Sequence, residues 1–236
     1  GIIHSEQWNN DELGHGTRMA GLIAAVDNSI GIVGVAPKAE LYALKTNGGL
    51  ESQGSTINTL KAIRWTGDNG MNVASMSIGS DLSILDSYSR SYWENQYAQA
   101  LDYAYNRGVV LIASSGNNGD KNAAVSWPAA YDKVIAVGAT DKDNNIAYFS
   151  NHGPELDLAA PGVRSVSTAL TGDKNMSEID KIYIPGAGSY STAMGTSDSV
   201  PIISGVAALI LSKNPQFTSA QIREQLESTA LDLGTP

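Results

Sequence analysis

At 236 residues the chain is long enough for one sizeable core, and α/β folds of this length are often single domains. It carries 15 Lys and Arg against 24 Asp and Glu, a formal charge of −9 with no basic run, which argues against nucleic acid as a partner. The absence of cysteine excludes disulfides and thiol chemistry, and no apolar run reaches membrane-spanning length, so a membrane is not an expected partner either. The first residues are Gly1-Ile2-Ile3 rather than Met, which leads us to expect a piece of a longer protein.

Gly-Thr-Arg-Met-Ala-Gly-Leu-Ile-Ala-Ala-Val at residues 16–26 predicts a helix, with His15 just before its first turn. Residues 27–37 are Gly-rich and irregular, and residues 39–45 predict a strand. Residues 55–69 predict a helix with Ile57, Leu60, Ala62 and Ile63 on one side, ended by Gly70. A strand at 73–78 opens into Gly79. Tyr97, Leu101 and Ala104 place a helix over 91–107, and Gly108 stops it. Residues 109–113 form a continuous apolar strand followed by the turn Ser115-Gly116-Asn117-Asn118-Gly119, and residues 134–139 another strand. Residues 168–191, with Gly172, Pro185, Gly186 and Gly188, read as a long flexible loop.

From Val200 to Leu211 only Pro201, Ser204 and Gly205 are not plainly apolar. A helix without a polar face belongs in the centre of the molecule, and Pro201 suits its first turn. Ser197 then sits at the helix mouth, beside free backbone N–H groups and the positive end of the dipole, a good place for a nucleophile whose reaction makes an oxyanion. Taken alone, Ser197 or Ser199 reads more readily as a simple helix cap. Asn214-Pro215 ends this helix, and Thr218 with Gln221 resembles a capping box opening the next. Strands alternating with helices, apolar on both faces, imply a doubly wound, three-layer α/β domain, mostly parallel, with the buried helix at its centre. Active groups belong at the carboxyl ends of such strands, where Ser77-Ile78-Gly79 and Ser115-Gly116-Asn117 both fall.

Three separated signals coincide: His15-Gly16-Thr17 before a helix, Ser115-Gly116-Asn117 after an apolar strand, and Gly195-Thr196-Ser197 leading into a buried helix. Together they resemble the subtilisin-like serine peptidases, the subtilases. The likeness extends in register through residues 35–42, Met76-Ser77-Ile78-Gly79, residues 134–139, Ala159-Ala160-Pro161-Gly162 and residues 207–215. The resemblance implies a single subtilisin-like domain over residues 1–236, secreted and acting on polypeptides, with Ser197 as nucleophile and His15 as general base and acid. Asn117 and the backbone N–H of Ser197 would form the oxyanion hole. Ser77, Ile78, Gly79, Ser114, Ser115 and Gly116 would line the pocket for the residue before the cut. Ser52, Gln53 and Gly54 would pair with the substrate as an added strand. It further implies structural calcium and no organic cofactor. A tight site would use the Asn28 side chain and the carbonyls of Val26, Ile30 and Ile32. A weaker one would use Glu155 and Asp157 with the carbonyls of Ala129, Tyr131 and Val134.

The sequence also departs from the family. The carboxylate that orients the catalytic histidine normally lies upstream of it, so the domain is expected to be truncated at both ends, with a propeptide or the missing N-terminal segment as partner. Asp11 and Glu12 lie in the loop leading to His15, badly placed for that role. Losing such a carboxylate costs about 10⁴ in turnover in trypsin-like enzymes. Asp198 replaces the usual Met after the nucleophile, and Arg18, Ser199 and Ile202 replace His, Ala and His. A carboxylate in the first helical turn gains about 0.3–1 kcal/mol from the dipole. Pointed at an oxyanion about 4 Å away it would cost roughly 4 kcal/mol, as much as one oxyanion donor contributes, about 2.7–4 kcal/mol. Its direction decides which effect wins. Two readings follow: a serine endopeptidase, or a non-catalytic subtilase-like domain that binds extended peptides or acts as a structural module.

Overall fold

The computed structural model describes residues 11–46, 56–121, 123–170, 181–184 and 188–234. Four parallel strands, β1 (Val73–Met76), β2 (Val110–Ser114), β3 (Val134–Thr140) and β4 (Leu158–Pro161), lie side by side in that order. Every residue of β2 and β3 is buried, which is why both read as unbroken apolar runs. Their side chains alternate between two cores. Leu111, Ala113, Val134 and Ala136 pack with Ile63, Tyr97 and Leu101, from the helices α2 (Thr56–Asp68) and α3 (Ser87–Tyr105). Val110, Ile112, Ile135 and Val137 pack with Val200, Ala207, Ile222 and Leu226, from α4 (Thr196–Lys213) and α5 (Ser219–Thr229). The expected three-layer α/β fold is present, and α4 is its central helix.

The first helix, α1 (His15–Ala24), packs on α4 and on the edge of a second, antiparallel sheet. That sheet consists of β5 (Val163–Thr168), β6 (Lys181–Ile184) and β7 (Gly188–Met194), in the order β5-β7-β6. Part of the expected flexible loop at 168–191 is therefore paired strand. The sequence there hides it, because β7 buries Tyr190 and Ser191 rather than an apolar row.

Three further expectations need correction. Residues 39–45 form no strand: among the described residues the sheet ends at β1 and none supplies a hydrogen-bonded ladder to them. Leu41 and Tyr42 are consequently 45% and 52% exposed. The third helix starts at Ser87, earlier than its apolar spacing indicates, because the Asp86 carboxylate accepts the N–H groups of Tyr88 and Ser89. Pro201 lies inside α4, beyond the first turn. Lacking an N–H, it leaves the carbonyl of Ser197, four residues back, without its helical partner. The Ser77 hydroxyl donates to that carbonyl instead, at 2.8 Å.

Gly205 shows how closely α4 is packed: a Cβ there would lie 2.6 Å from Cβ of Val35. Gly205→Ala is expected to destabilise the fold by roughly 1–3 kcal/mol through overpacking. Urea unfolding should show a lower midpoint with an unchanged slope.

Candidate active site

The site grows from the mouth of α4, where β1 and β2 end. Asn117, in the turn after β2, accepts the backbone N–H of Thr196 at 2.8 Å and the Thr196 hydroxyl at 3.0 Å, both at Oδ1. Two donors on one oxygen fix the orientation of the amide, so Nδ2 faces away from Thr196. A Cβ placed on Gly195 would lie 3.4 Å from Asn117 Nδ2 and 3.7 Å from Ser197 N. Both groups expected as donors therefore lie within van der Waals reach of the point a side chain at residue 195 would occupy, with Asn117 Oδ1 close by at 3.8 Å. Gly116, with φ 112°, completes the turn, since a Cβ there would strike the Asn151 amide and the Ser126 hydroxyl. Its N–H donates to Thr196 Oγ1 at 3.3 Å.

The remaining pocket residues converge on the same sheet edge. Ser77 holds the Ser197 carbonyl, Ser114 Oγ donates to the carbonyl of Ile78 at 3.1 Å, and Gly79 faces Ser126. Ser115 is fully buried, and its hydroxyl has no hydrogen-bond partner among the described residues. Ser52, Gln53 and Gly54 lie outside the described residues.

His15 is the first residue of α1. Asp11 anchors that end of the helix: Oδ1 accepts the N–H of Gly14 at 3.0 Å, and Oδ2 accepts the N–H and hydroxyl of Thr17, each at 2.7 Å. Asp11 is thereby committed to the helix terminus rather than to the far nitrogen of the imidazole. The open edge of His15 faces a concave groove of about 1420 Å³ between residues 36–46, β1, α2 and α4. His15 is exposed as a residue, yet the protein on its inner side partly desolvates the imidazole and lowers its pKa below the usual value. The carboxylates of Asp198 and Asp11 oppose this shift, and the Arg18 guanidinium adds to it.

Asp198 is 2% exposed and turns towards Arg18. Its Oδ2 accepts Arg18 Nη2 at 2.9 Å, while Arg18 Nη1 donates to the carbonyl of Ser191 at 3.0 Å and to its hydroxyl at 2.6 Å. Burial pushes the Asp198 carboxyl up, and the guanidinium opposes that. The direction left open by the sequence is thus decided: the carboxylate is held on α1.

The pattern of the subtilase family (Peptidase_S8) matches residues 3–236. The chain belongs to this family. It is 43% identical to the M-protease of Shouchella clausii (strain KSM-K16) over 99% of its own length and 54% of the relative's. It is 42% identical to Subtilisin Savinase of Lederbergia lenta, covering 99% of this chain and 76% of that protein. This subtilase therefore spans about half the length of the first relative and about three quarters of the second. Among solved structures, a lanthipeptide protease superposes with a TM-score of 0.81 at 28% identity, over 96% of this chain and 70% of that one. The S41 psychrophilic protease does so at 0.74 and 31%, over 93% of this chain and 70% of that one.

The two expected cation sites fare differently in this subtilase. In the second, Arg223 donates to Asp157 Oδ1 at 3.3 Å and also to the carbonyl of Val134. Asp157 Oδ2 accepts the N–H of Ala136 at 2.7 Å. A guanidinium thus already engages two of the five donors, and that set does not fit a metal cation. In the first, Asn28 Oδ1 accepts the N–H of Ile30 at 2.8 Å, closing a turn. Among the described residues, no backbone N–H donates to the carbonyls of Val26, Ile30 or Ile32, which remain available as hard oxygen donors.

Sequence reasoning missed two structural roles here: Thr196 as the anchor of Asn117, and Arg18 as the partner of Asp198. For the second a signal existed. A new cation and a new anion, each at a position where the family is neutral or weakly basic, suggest each other as partners.

Proposed function

We propose that this subtilase hydrolyses peptide bonds through an acyl-enzyme formed on Ser197. The observation that supports it best is that Asn117 Nδ2 and Ser197 N both lie beside the space at Gly195. In this reading Ser197 Oγ attacks the scissile carbonyl carbon while His15 takes the hydroxyl proton. The carbonyl oxygen becomes an oxyanion between the two donors, aided by the positive end of α4. His15 then gives its proton to the leaving amine. Water, deprotonated by His15, attacks the acyl carbon, and the same proton passes to Ser197 Oγ as the ester bond breaks and the acid product leaves. A lowered imidazole pKa keeps His15 neutral, and competent as a base, further into mild acid.

The test of the function is covalent trapping. A fluorophosphonate should mark Ser197 of the protein carrying this domain, and complete absence of label would overturn the reading. A peptide-binding module without chemistry would bind extended peptides identically before and after Ser197→Ala.

We further assign the loop of Val26, Asn28, Ile30 and Ile32 to a structural calcium ion, held by one side-chain oxygen and three carbonyls. Chelation should lower the melting temperature by mass action. An unchanged melting temperature would remove the site.

A further inference from the structure

We propose that the Arg18–Asp198 ion pair is a positioning element for the His15–Ser197 couple, tying together the two helices that carry base and nucleophile. The proposal rests on the peptidase reading above. Arg18 lies three residues after His15, on the adjacent turn of α1, and Asp198 directly follows Ser197 in α4. The two side chains are 8% and 3% exposed and meet at 2.9 Å across 180 residues of sequence.

The geometry fixes more than one distance. Arg18 uses one nitrogen for Asp198 and the other for the carbonyl and hydroxyl of Ser191 on β7. The Arg18 carbonyl accepts the Ser167 hydroxyl of β5 at 2.6 Å, and that of Thr17 accepts Thr168 Oγ1 at 2.8 Å. A planar guanidinium with several fixed donors sets direction as well as separation. The pair therefore registers α1 against α4 and against both strands beneath it.

A role in bulk stability alone accounts poorly for this arrangement. Buried ion pairs are weak stabilisers, and a well-packed apolar pair of similar volume often does as well or better. What an apolar pair cannot do is hold a defined angle or balance charge beside an imidazole. The charged groups facing His15 are Asp198 from α4, Arg18 from α1 and Asp11 from the loop before it. Glu12, Lys38, Glu40 and Lys45 line the same groove. Asp198 favours the imidazolium more strongly than Arg18 disfavours it, so the two partners oppose each other at the ring and loss of either shifts the balance.

The test reads the His15 titration by NMR, assigned by its loss in His15→Gln, together with the rate of fluorophosphonate labelling at Ser197. Asp198→Asn should shift the titration to lower pH, because Arg18 is left uncompensated. Arg18→Met should shift it to higher pH, and the double variant should return towards the parent. Arg18→Lys keeps the charge but loses the fork, so the titration should stay while labelling slows by roughly ten- to a hundredfold through misplacement. Shifts of the same sign in both single variants, no shift in either, or unimpaired labelling in Arg18→Lys would each overturn the proposal. Asp198→Asn, nearly isosteric, carries the test if Arg18→Met fails to fold. Unfolding of Asp198→Asn as well, seen by circular dichroism, would make the pair a folding element only and overturn the assignment. The titration needs no turnover. Absent label with the predicted titrations would therefore sink the peptidase reading, whereas normal label with unmoved titrations would sink the pair.

Discussion

Replacing Ser197 by Ala is expected to lower peptide turnover by about 10⁶ and to abolish fluorophosphonate labelling; the magnitude is that known for the subtilisin nucleophile, not one derived from this geometry. The fold should be nearly indifferent. Among the described residues the Ser197 hydroxyl makes no hydrogen bond, while the backbone carbonyl held by Ser77 survives the substitution. Stability should therefore stay within about 0.5 kcal/mol, as for replacements that break no specific feature. Thermal unfolding beside a turnover assay separates the outcomes. Retained cleavage would remove Ser197 as nucleophile, and a large fall in melting temperature would reveal a structural role.

Asn117→Ala should lower kcat by about 10²–10³, equivalent to roughly 2.7–4 kcal/mol, with KM little changed, because the donor acts on charge that develops only in the transition state. This substitution also removes the acceptor of the Thr196 N–H and hydroxyl. Loss of those bonds at the mouth of α4 would loosen the helix start independently of catalysis. Asn117→Asp separates the two effects. It keeps an oxygen for Thr196 but exchanges the donor for a negative charge facing the Gly195 space, so kcat should fall further than in the Ala variant. An active Asn117→Asp enzyme would mean the oxyanion lies elsewhere. Because Asp198 is turned to Arg18, the hole has no resident anion to mask the loss of Asn117.

Much of this site was legible before any coordinates. The buried central helix follows from an apolar run too continuous for a surface element, and the parallel sheet from strands apolar on both faces. His15, Asn117 and Ser197 were each singled out by motif context; among the described residues Asn117 is bonded to Thr196, next to Ser197, and no hydrogen bond joins His15 to Ser197. Element edges were less legible. The start of α3 depends on one Asp86 side chain, and the strand expected at 39–45 has no ladder partner among the described residues, which no local periodicity reveals. The antiparallel sheet was hidden because its buried residues are hydroxyls, whose partners lie far away: Ser167 holds Arg18, and Ser191 accepts from it.

The sequence by itself determined the layers and the family pattern, and it singled out His15, Asn117 and Ser197 as candidates, because helical and strand periodicity and short motifs are properties of contiguous residues. Only the tertiary structure decided where Asp198 points, that Arg223 reaches Asp157 and the Val134 carbonyl, that Asp11 anchors the start of α1, and that Ser77 takes up the carbonyl freed by Pro201. Each of these is a choice among partners remote in sequence. Such choices are made by burial: a charge or carbonyl removed from water must find a counterpart in whatever the fold brings within reach.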